Sequence, residues 1–293
     1  MNIVDTLKQA IEDNASDIFI VAGANISLKK AGVIYPVSCD PVTPGETRAL
    51  VEQIYQLSNG IQRSIQILEE NGEDDFSFSL NTLGRFRVNA YYQRGSMSAV
   101  LRVVRFELPD PKAYHIPSSV LEISSLNKGL VIVTGPTGSG KTTTLACLVD
   151  EINKTRRGHI ITIEDPIEYL HKHKKCIVSQ REVGHDTKDY LCALRAALRE
   201  APDVILVGEM RDLETVSVAL TAAETGHLVL STLHTLGAAE TISRIIDVFP
   251  VQQQEQIKVQ LTMTLQAVIS QQLLPASDGG MVPAYEVMKS TPA

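Results

Sequence analysis

The chain has 293 residues, 44% of them hydrophobic and 21% charged, with a net charge of −7. That length supports two ordinary domains, or one large one, with a sizeable core, and the composition excludes general disorder. The acidic balance, with 5% aromatic residues and no Trp, argues against a protein that coats nucleic acid, because phosphate binding needs a basic face.

The stretch "IVDTLKQAIED" reads as an amphipathic helix, and the strand "DIFIVAG" follows it. "ISLKKAGVIYPVS" alternates around Ala31-Gly32 as a hairpin does. Two helical stretches come next, one after Thr43-Pro44 and one at "IQRSIQILEE". "DFSFSL", "GRFRVNAYYQR" and "SMSAVLRVV" then read as consecutive antiparallel strands. Residues 1–105 are therefore expected to form an α+β domain. "FELPDPKAYHIP" carries three prolines in twelve residues, each restricting its own backbone and its neighbour's. This stretch, residues 106–117, is expected to be a linker to a second domain, 118–293.

From Gly129 the strands "GLVIVTG", "HIITIED", "KCIVSQ", "DVILVGE" and "HLVLSTLH" alternate with helices that begin near Lys141, Thr187 and Asp212. Continuous Val/Ile/Leu runs between helices predict an α/β fold with a parallel-rich sheet covered on both faces. After His234 the chain is expected to be helical, first "AAETISRIIDVF" and then "QQQEQIKVQLTMTLQAVISQQLL", whose Met and Leu residues suit core or subunit packing. "HKHKK", His171 to Lys175, reads as a solvated loop. No apolar run approaches the roughly 20 residues needed to cross a bilayer, so no direct membrane insertion is expected. Cys39, Cys147, Cys176 and Cys192 are spaced neither as a metal knuckle nor as a redox pair. They read as free thiols in a reducing cytoplasm.

"GPTGSGKTTT" is the strongest motif: G-x-x-x-x-G-K-[ST] directly after an apolar strand. Its residues are Gly135, Pro136, Thr137, Gly138, Ser139, Gly140, Lys141, Thr142 and Thr143. Triphosphate oxygens must approach successive backbone N–H groups, and a Cβ would obstruct them. The helix starting near Lys141 aims its free N–H groups at phosphate. Lys141 is placed to bridge β- and γ-phosphates of ATP, and the Thr142 hydroxyl to ligate Mg²⁺.

Three further stretches carry candidate chemistry. "ITIEDPIEYLH" delivers Glu164 and Asp165 at a strand's carboxyl end, with Glu168 after Pro166. Such groups face the ligand crevice of a parallel sheet, where one could deprotonate an attacking water; the plainer reading is a solvated acidic turn. "DVILVGEMRD" ends in Gly208 and Glu209. Glu209 suits a metal role, direct or through water, or a helix N-terminal charge, while Asp203 reads as a cap or turn residue. "TGHLVLSTLHT" opens with His227 and closes with His234. On an extended chain the two lie roughly 23 Å apart, so they cannot share one metal. His234 falls at the phosphate end of the sheet and suits a γ-phosphate sensor.

These elements, in this order, resemble the secretion ATPase superfamily and within it the type IV pilus retraction ATPases, the PilT group. The resemblance extends to "SDIFIVAG" and "GRFRVNAYYQRG" near the N-terminus. It implies a hexameric ring whose subunits pair a PAS-like N-terminal domain with a RecA-like P-loop motor domain. It implies Mg²⁺-dependent ATP hydrolysis that drives pilus disassembly and twitching motility. It assigns Glu168 as general base, Glu209 to an atypical Walker B motif, and His227 and His234 to a His box. It implies that N-terminal-domain arginines meet the nucleotide; Arg87, Arg94 and Arg102 are candidates, Arg94 and Arg102 foremost. The implied partner is an inner-membrane pilus platform protein, which places the motor in the cytoplasm at the membrane's inner face. The absence of any CxxC pair separates the chain from the extension and type II secretion ATPases, which carry a four-cysteine zinc module. Retraction ATPases continue beyond "YEVMKSTPA" into another helical segment, so the sequence reads as truncated there. Two alternatives remain at this stage: an accessory ATPase of the PilU kind that depends on a paralogue, and a RecA-like nucleic-acid motor.

Overall fold

The computed structural model describes residues 2–58, 63–80, 83–104, 108–276 and 280–291. The chain divides into two compact units, Met1–Phe106 and Glu107–Ala293.

In the first unit, α1 (Ile3–Glu12) buries Ile3, Leu7 and Ala10 on one face and is capped by the Asn2 side chain. The strands β1 (Asp17–Ile20), β2 (Ser27–Lys30) and β3 (Val33–Pro36) follow. The β2–β3 turn falls at Ala31-Gly32 as expected, with φ of 48° and 83°, the pair of positive values that a two-residue hairpin turn needs. Helix α2 (Pro44–Leu57) starts on a capping box between Thr43 and Glu46. After α3 (Gln66–Asn71) come β4 (Glu73–Leu80), β5 (Gly84–Gln93) and β6 (Ser96–Val104). The six strands form one antiparallel sheet in the order β3-β2-β1-β6-β5-β4.

Residues 108–117 of the proline-rich segment belong to the second unit and are folded: Ile116 N–H donates to Pro111 O, and Ile116 is buried with Val120 and Leu148. Its elements are α4 (Ser118–Leu121), β7 (Gly129–Thr134), α5 (Lys141–Thr155), β8 (His159–Glu164), β9 (Ile177–Glu182), α6 (Tyr190–Ala197) and β10 (Val204–Val207). They continue with α7 (Leu213–Glu224), β11 (Leu228–Leu233), α8 (Ala238–Asp247), α9 (Val251–Thr264), β12 (Leu265–Pro275) and β13 (Met281–Lys289). The sheet order is β13-β12-β7-β11-β10-β8-β9. All neighbours are parallel except β12 and β13, so the predicted α/β, parallel-rich class is the observed one. Strand β7 is buried throughout. Leu130 and Ile132 pack with Leu194, Leu220, Ile245 and Leu261 on one side, and Val131 and Val133 pack with Leu148 and Ile152 on the other.

Expectations about two helices need correction. "QQQEQIKVQLTMTLQAVISQQLL" is helical only to Thr264; from Leu265 it is a strand alongside β7. Its side chains alternate between the two cores, Ala267 and Ile269 facing one and Val268 the other. A helix there would have left the second edge of buried β7 without hydrogen-bond partners, so tertiary pairing overrode the local pattern. "HKHKK" is the expected solvent-exposed loop, and its backbone is anchored. The buried Asn153 donates through Nδ2 to Lys172 O at 2.7 Å and accepts through Oδ1 from Lys174 N at 3.1 Å and Cys176 N at 3.2 Å. Lys174 ion-pairs with Asp150. The lysines are exposed as expected, but the backbone beneath them is fixed. The helix expected near Thr187 starts instead at Tyr190, where the Asp189 side chain accepts from Cys192 N.

Cys39 and Cys192 are exposed, whereas Cys147 and Cys176 are buried, and all are free thiols. Burial pushes the Cys147 thiol up to about 12. Among the described residues no helix is long and apolar enough to cross a membrane.

Candidate active site

The carboxyl ends of β7, β8, β10 and β11 open on a cleft of about 450 Å³ lined by the glycine loop, Glu164, Asp165, Glu168, Tyr169, His171, Glu209, Arg211 and His234, among others. Crevices at this end of a parallel sheet are where ligands of such folds bind.

The loop leaves β7 at Thr134 and enters α5 at Lys141. Gly138, at φ 79°, has open space where a Cβ would be, whereas a Cβ on Gly135 would lie 2.1 Å from Gln271 O. Gly135 is thus required by the strand behind the loop and Gly138 by the loop's own path. The N-terminus of α5 has no side-chain cap, as is also true of α3, α4, α8 and α9, and its first residues, Lys141, Thr142 and Thr143, line the cleft. Its first N–H groups are left for an anion.

Lys141 is buried against this loop, and Nζ donates to Gly135 O at 2.8 Å and to Pro136 O at 3.0 Å. Burial lowers its pKa, opposed by the charge of Glu209. His234 Nδ1 lies 3.5 Å from Lys141 Nζ, and Nε2 lies 3.4 Å from Glu209 Oε1. The ammonium only donates and the carboxylate only accepts, so the neighbours select the tautomer with the proton on Nε2. Arg211 holds the other Glu209 oxygen at 2.7 Å. Burial alone would raise the Glu209 pKa, but the hydrogen bond from Arg211 and the proximity of His234 keep it below the ordinary value.

Glu168 sits on the loop after β8, exposed at the cleft wall. Strand β9 fixes that loop. Gln180 donates through Nε2 to Tyr169 O at 2.9 Å and to Glu164 Oε1 at 3.2 Å, and accepts from His171 N at 2.7 Å. Glu182 Oε2 accepts from Ile167 N at 2.9 Å. Tyr169 OH pairs with Thr143 Oγ1 at 3.0 Å, tying the loop to α5.

Glu164 differs in character from Glu168. Burial pushes it up to about 7, against hydrogen bonds from Thr162 and Gln180. Burial also pushes His171 down to about 4, so the imidazole is neutral. The raised Glu164 pKa means that the folded chain holds this proton more tightly than the unfolded chain does. The linked stability is complete below the ordinary value of 4.5 and is lost as pH rises through about 7. Glu164→Gln, which keeps the acceptor oxygen, is therefore expected to unfold at higher denaturant than the parent at pH 8 and at equal denaturant at pH 4. The gain is at most about 3 kcal/mol, at 1.36 per pKa unit. Denaturant titrations at the two pH values check it.

The family described as type II/IV secretion system protein matches residues 2–280. This chain belongs to that family, the secretion ATPases. Over all 293 residues it is 46% identical to the type IV pilus retraction ATPase PilT of Pseudomonas aeruginosa, covering 84% of that protein. It is 42% identical to the type IV pilus ATPase PilU of the same organism, covering 75% of it. Among solved structures, that of the pilus retraction motor PilT with bound ADP aligns over the whole chain and 84% of its own length, with a TM-score of 0.89 and 53% identity. The Legionella pneumophila ATPase DotB aligns over 99% of the chain and 81% of its own length, with a TM-score of 0.83 and 30% identity.

Of the residues that the sequence nominates in this secretion ATPase, the cleft gathers Thr137, Gly138, Gly140, Lys141, Thr142, Thr143, Glu168, Glu209 and His234. His227 does not join them. It lies at the start of β11, and its Nδ1 meets Ala222 O at 2.9 Å and Thr225 Oγ1 at 3.2 Å, a turn-stabilising role. β11 pairs with β7 from Leu228 beside Gly129 to Leu233 beside Thr134, so His227 is at the end of the sheet away from the glycine loop. Arg94 and Arg102 belong to the first unit, while every residue lining the cleft comes from the second. Arg94 sits in the β5–β6 turn at φ 48°, and Arg102 pairs with Asp17 at 3.1 Å. Asp203 is structural, as expected, its Oδ2 accepting from His159 N at 2.8 Å. Sequence reasoning missed Gln180, Tyr169, Arg211 and Gln271. Their types are common on strands and loops, and their roles come from pairings distant in the chain.

Proposed function

We propose that this secretion ATPase is an oligomeric, Mg²⁺-dependent motor that hydrolyses ATP to drive type IV pilus retraction. The observation that carries the reading is the convergence of Lys141, Glu168, Glu209 and His234 around an uncapped helix N-terminus in one cleft. Its likeness to a retraction motor solved with bound ADP supports a nucleotide as the ligand of that cleft.

Thr142 and Glu209 both line the cleft and offer the oxygen donors a hard cation takes. Among the described residues no group of three or more His, Cys, Asp or Glu could hold a metal. That fits a Mg²⁺ held by one or two side chains together with substrate phosphates. Bound there, Mg²⁺ supplies charge neutralisation at the phosphoryl oxygens.

The residues divide the remaining work. The N–H groups of the loop and of α5 bind the phosphates, and Lys141 gives up its loop carbonyls for β- and γ-oxygens. Glu168, exposed on a loop that β9 holds still, takes the proton of the attacking water. His234 spans Lys141 and Glu209, so a change at the γ-position is felt on both. Arg94 and Arg102 of a neighbouring protomer complete the site in a homo-oligomer, expected to be a hexamer, which makes hydrolysis depend on protomer arrangement. Force then passes to a pilus platform protein of the inner membrane. The motor works at the cytoplasmic face.

The test is complementation of a strain that lacks retraction, with twitching as readout, alone and beside a PilU-like paralogue. Restoration of twitching by this gene alone supports the motor reading. Restoration only beside the paralogue establishes the accessory reading, which the 42% identity to PilU keeps in view. In purified protein, phosphate release is expected to require Mg²⁺ and to be indifferent to DNA.

A further inference from the structure

Strand β12 runs parallel to β7 up to Ser270, which pairs with Thr134. Gln271 comes next, at the point where β7 gives way to the glycine loop, and it is 3% exposed. Its backbone carbonyl occupies the place of a Cβ on Gly135, 2.1 Å from where that atom would lie. Its Nε2 lies 2.8 Å from the Cβ position of Gly140. Its Oε1 accepts from Thr144 Oγ1 at 2.7 Å, in the first turn of α5. Tyr285, the cross-strand partner of Gln271 on β13, approaches the same hydroxyl at 3.4 Å. One buried residue thus meets the first glycine of the loop, the last glycine, and the helix the loop feeds.

The same hairpin reaches the segment after His234. Ser270 Oγ accepts from Gly237 N at 2.9 Å, and Glu286 Oε1 accepts from Ala238 N at 3.1 Å. The two segments that face phosphate are therefore braced from one side by β12 and β13.

We infer that Gln271 is a positioning residue for the phosphate-binding loop, setting its N–H groups in a binding-ready arrangement before nucleotide arrives. The inference rests on the nucleotide-binding reading of the cleft. The physical basis is preorganisation: a loop already held in its bound shape loses less freedom on binding, and donors fixed in advance need no reorganisation. Gln271 does not touch the nucleotide in this account; it acts through Gly135, Gly140 and Thr144.

The experiment uses Gln271→Met, which keeps length and apolar volume but removes both polar ends. ADP affinity is measured by calorimetry, and amide hydrogen exchange over residues 135–142 is followed without nucleotide. Affinity is expected to fall about five- to tenfold, the scale of one lost hydrogen bond. Exchange of the loop amides is expected to quicken while β7 and β11 keep their protection. The KM for ATP is expected to rise with kcat within about twofold. Thr144→Ser, which keeps the hydroxyl, should behave as the parent, and Thr144→Val should move in the direction of Gln271→Met. Unchanged affinity and loop exchange in folded Gln271→Met would overturn the assignment, as would protection lost equally across the sheet. If Gln271→Met does not fold, Thr144→Val decides by the same two readouts. If the parent itself binds no ADP, the nucleotide reading fails, and loop exchange without ligand still decides whether Gln271 holds the loop.

Discussion

Hydrolysis of ATP by Lys141→Ala is expected to fall by about 10²–10³-fold, the usual loss when one preorganised charge-stabilising donor is removed. The structure explains why no neighbour substitutes for it. Among the described residues that line the cleft the other Lys or Arg is Arg211, held by Glu209 at 2.7 Å, and Lys141 reaches inward between Gly135 O and Pro136 O. Lys141→Arg should not rescue turnover, because a planar fork does not fit where a compact ammonium sits between two loop carbonyls. Phosphate release and ADP calorimetry on both variants, with thermal melts to confirm folding, give the result. Turnover within tenfold of the parent in folded Lys141→Ala would remove this lysine from the mechanism.

The second large effect separates two carboxylates of one stretch, Glu168, which the family resemblance assigns as general base, and Glu164. Glu168→Gln is expected to lower turnover by about 10²–10⁴-fold, the range for loss of a general base, while ADP affinity stays within about threefold. Glu164→Gln is expected to keep turnover within about tenfold. Glu168 is exposed to the cleft, where a water and a γ-phosphate can meet it. Glu164 Oε1 already receives Thr162 Oγ1 at 2.6 Å and Gln180 Nε2 at 3.2 Å, and burial pushes the group up to about 7. A carboxyl whose oxygen is already tied to its own strand by Thr162 and to β9 by Gln180 is poorly placed to take a proton from a substrate water, whatever its basicity. The reverse ranking in single-turnover assays would make Glu164 the base.

The legible part of this molecule was the part with local grammar. The glycine loop announces itself because strand, glycines, lysine and helix follow one another without a break. The hairpin at Ala31-Gly32 and the helix start after Thr43-Pro44 rest on backbone preferences that act over a few residues. Glu168, Glu209 and His234 were accessible because strand ends in a parallel sheet share one edge, so their positions along each strand imply their meeting. Long-range pairing was not accessible. Nothing near Leu265 says that a helix stops there, since the strand exists to cover an edge of β7 more than a hundred residues earlier in the chain. Gln180 and Gln271 look like ordinary strand glutamines until β9 meets the Glu168 loop and β12 meets Gly135. The family resemblance groups His227 with His234, although their spacing along one extended strand already sets them roughly 23 Å apart, at opposite ends of the sheet.

The four thiols sort themselves for a use unrelated to chemistry at the cleft. Cys147 and Cys176 are shielded within the second unit, while the two that face solvent fall one to each unit, Cys39 in the first and Cys192 in the second. A maleimide dye or spin label applied to the native chain should therefore mark both units without mutagenesis. The separation between those two marks, read with and without ATP, would show directly whether the fuel alters the arrangement of one unit against the other.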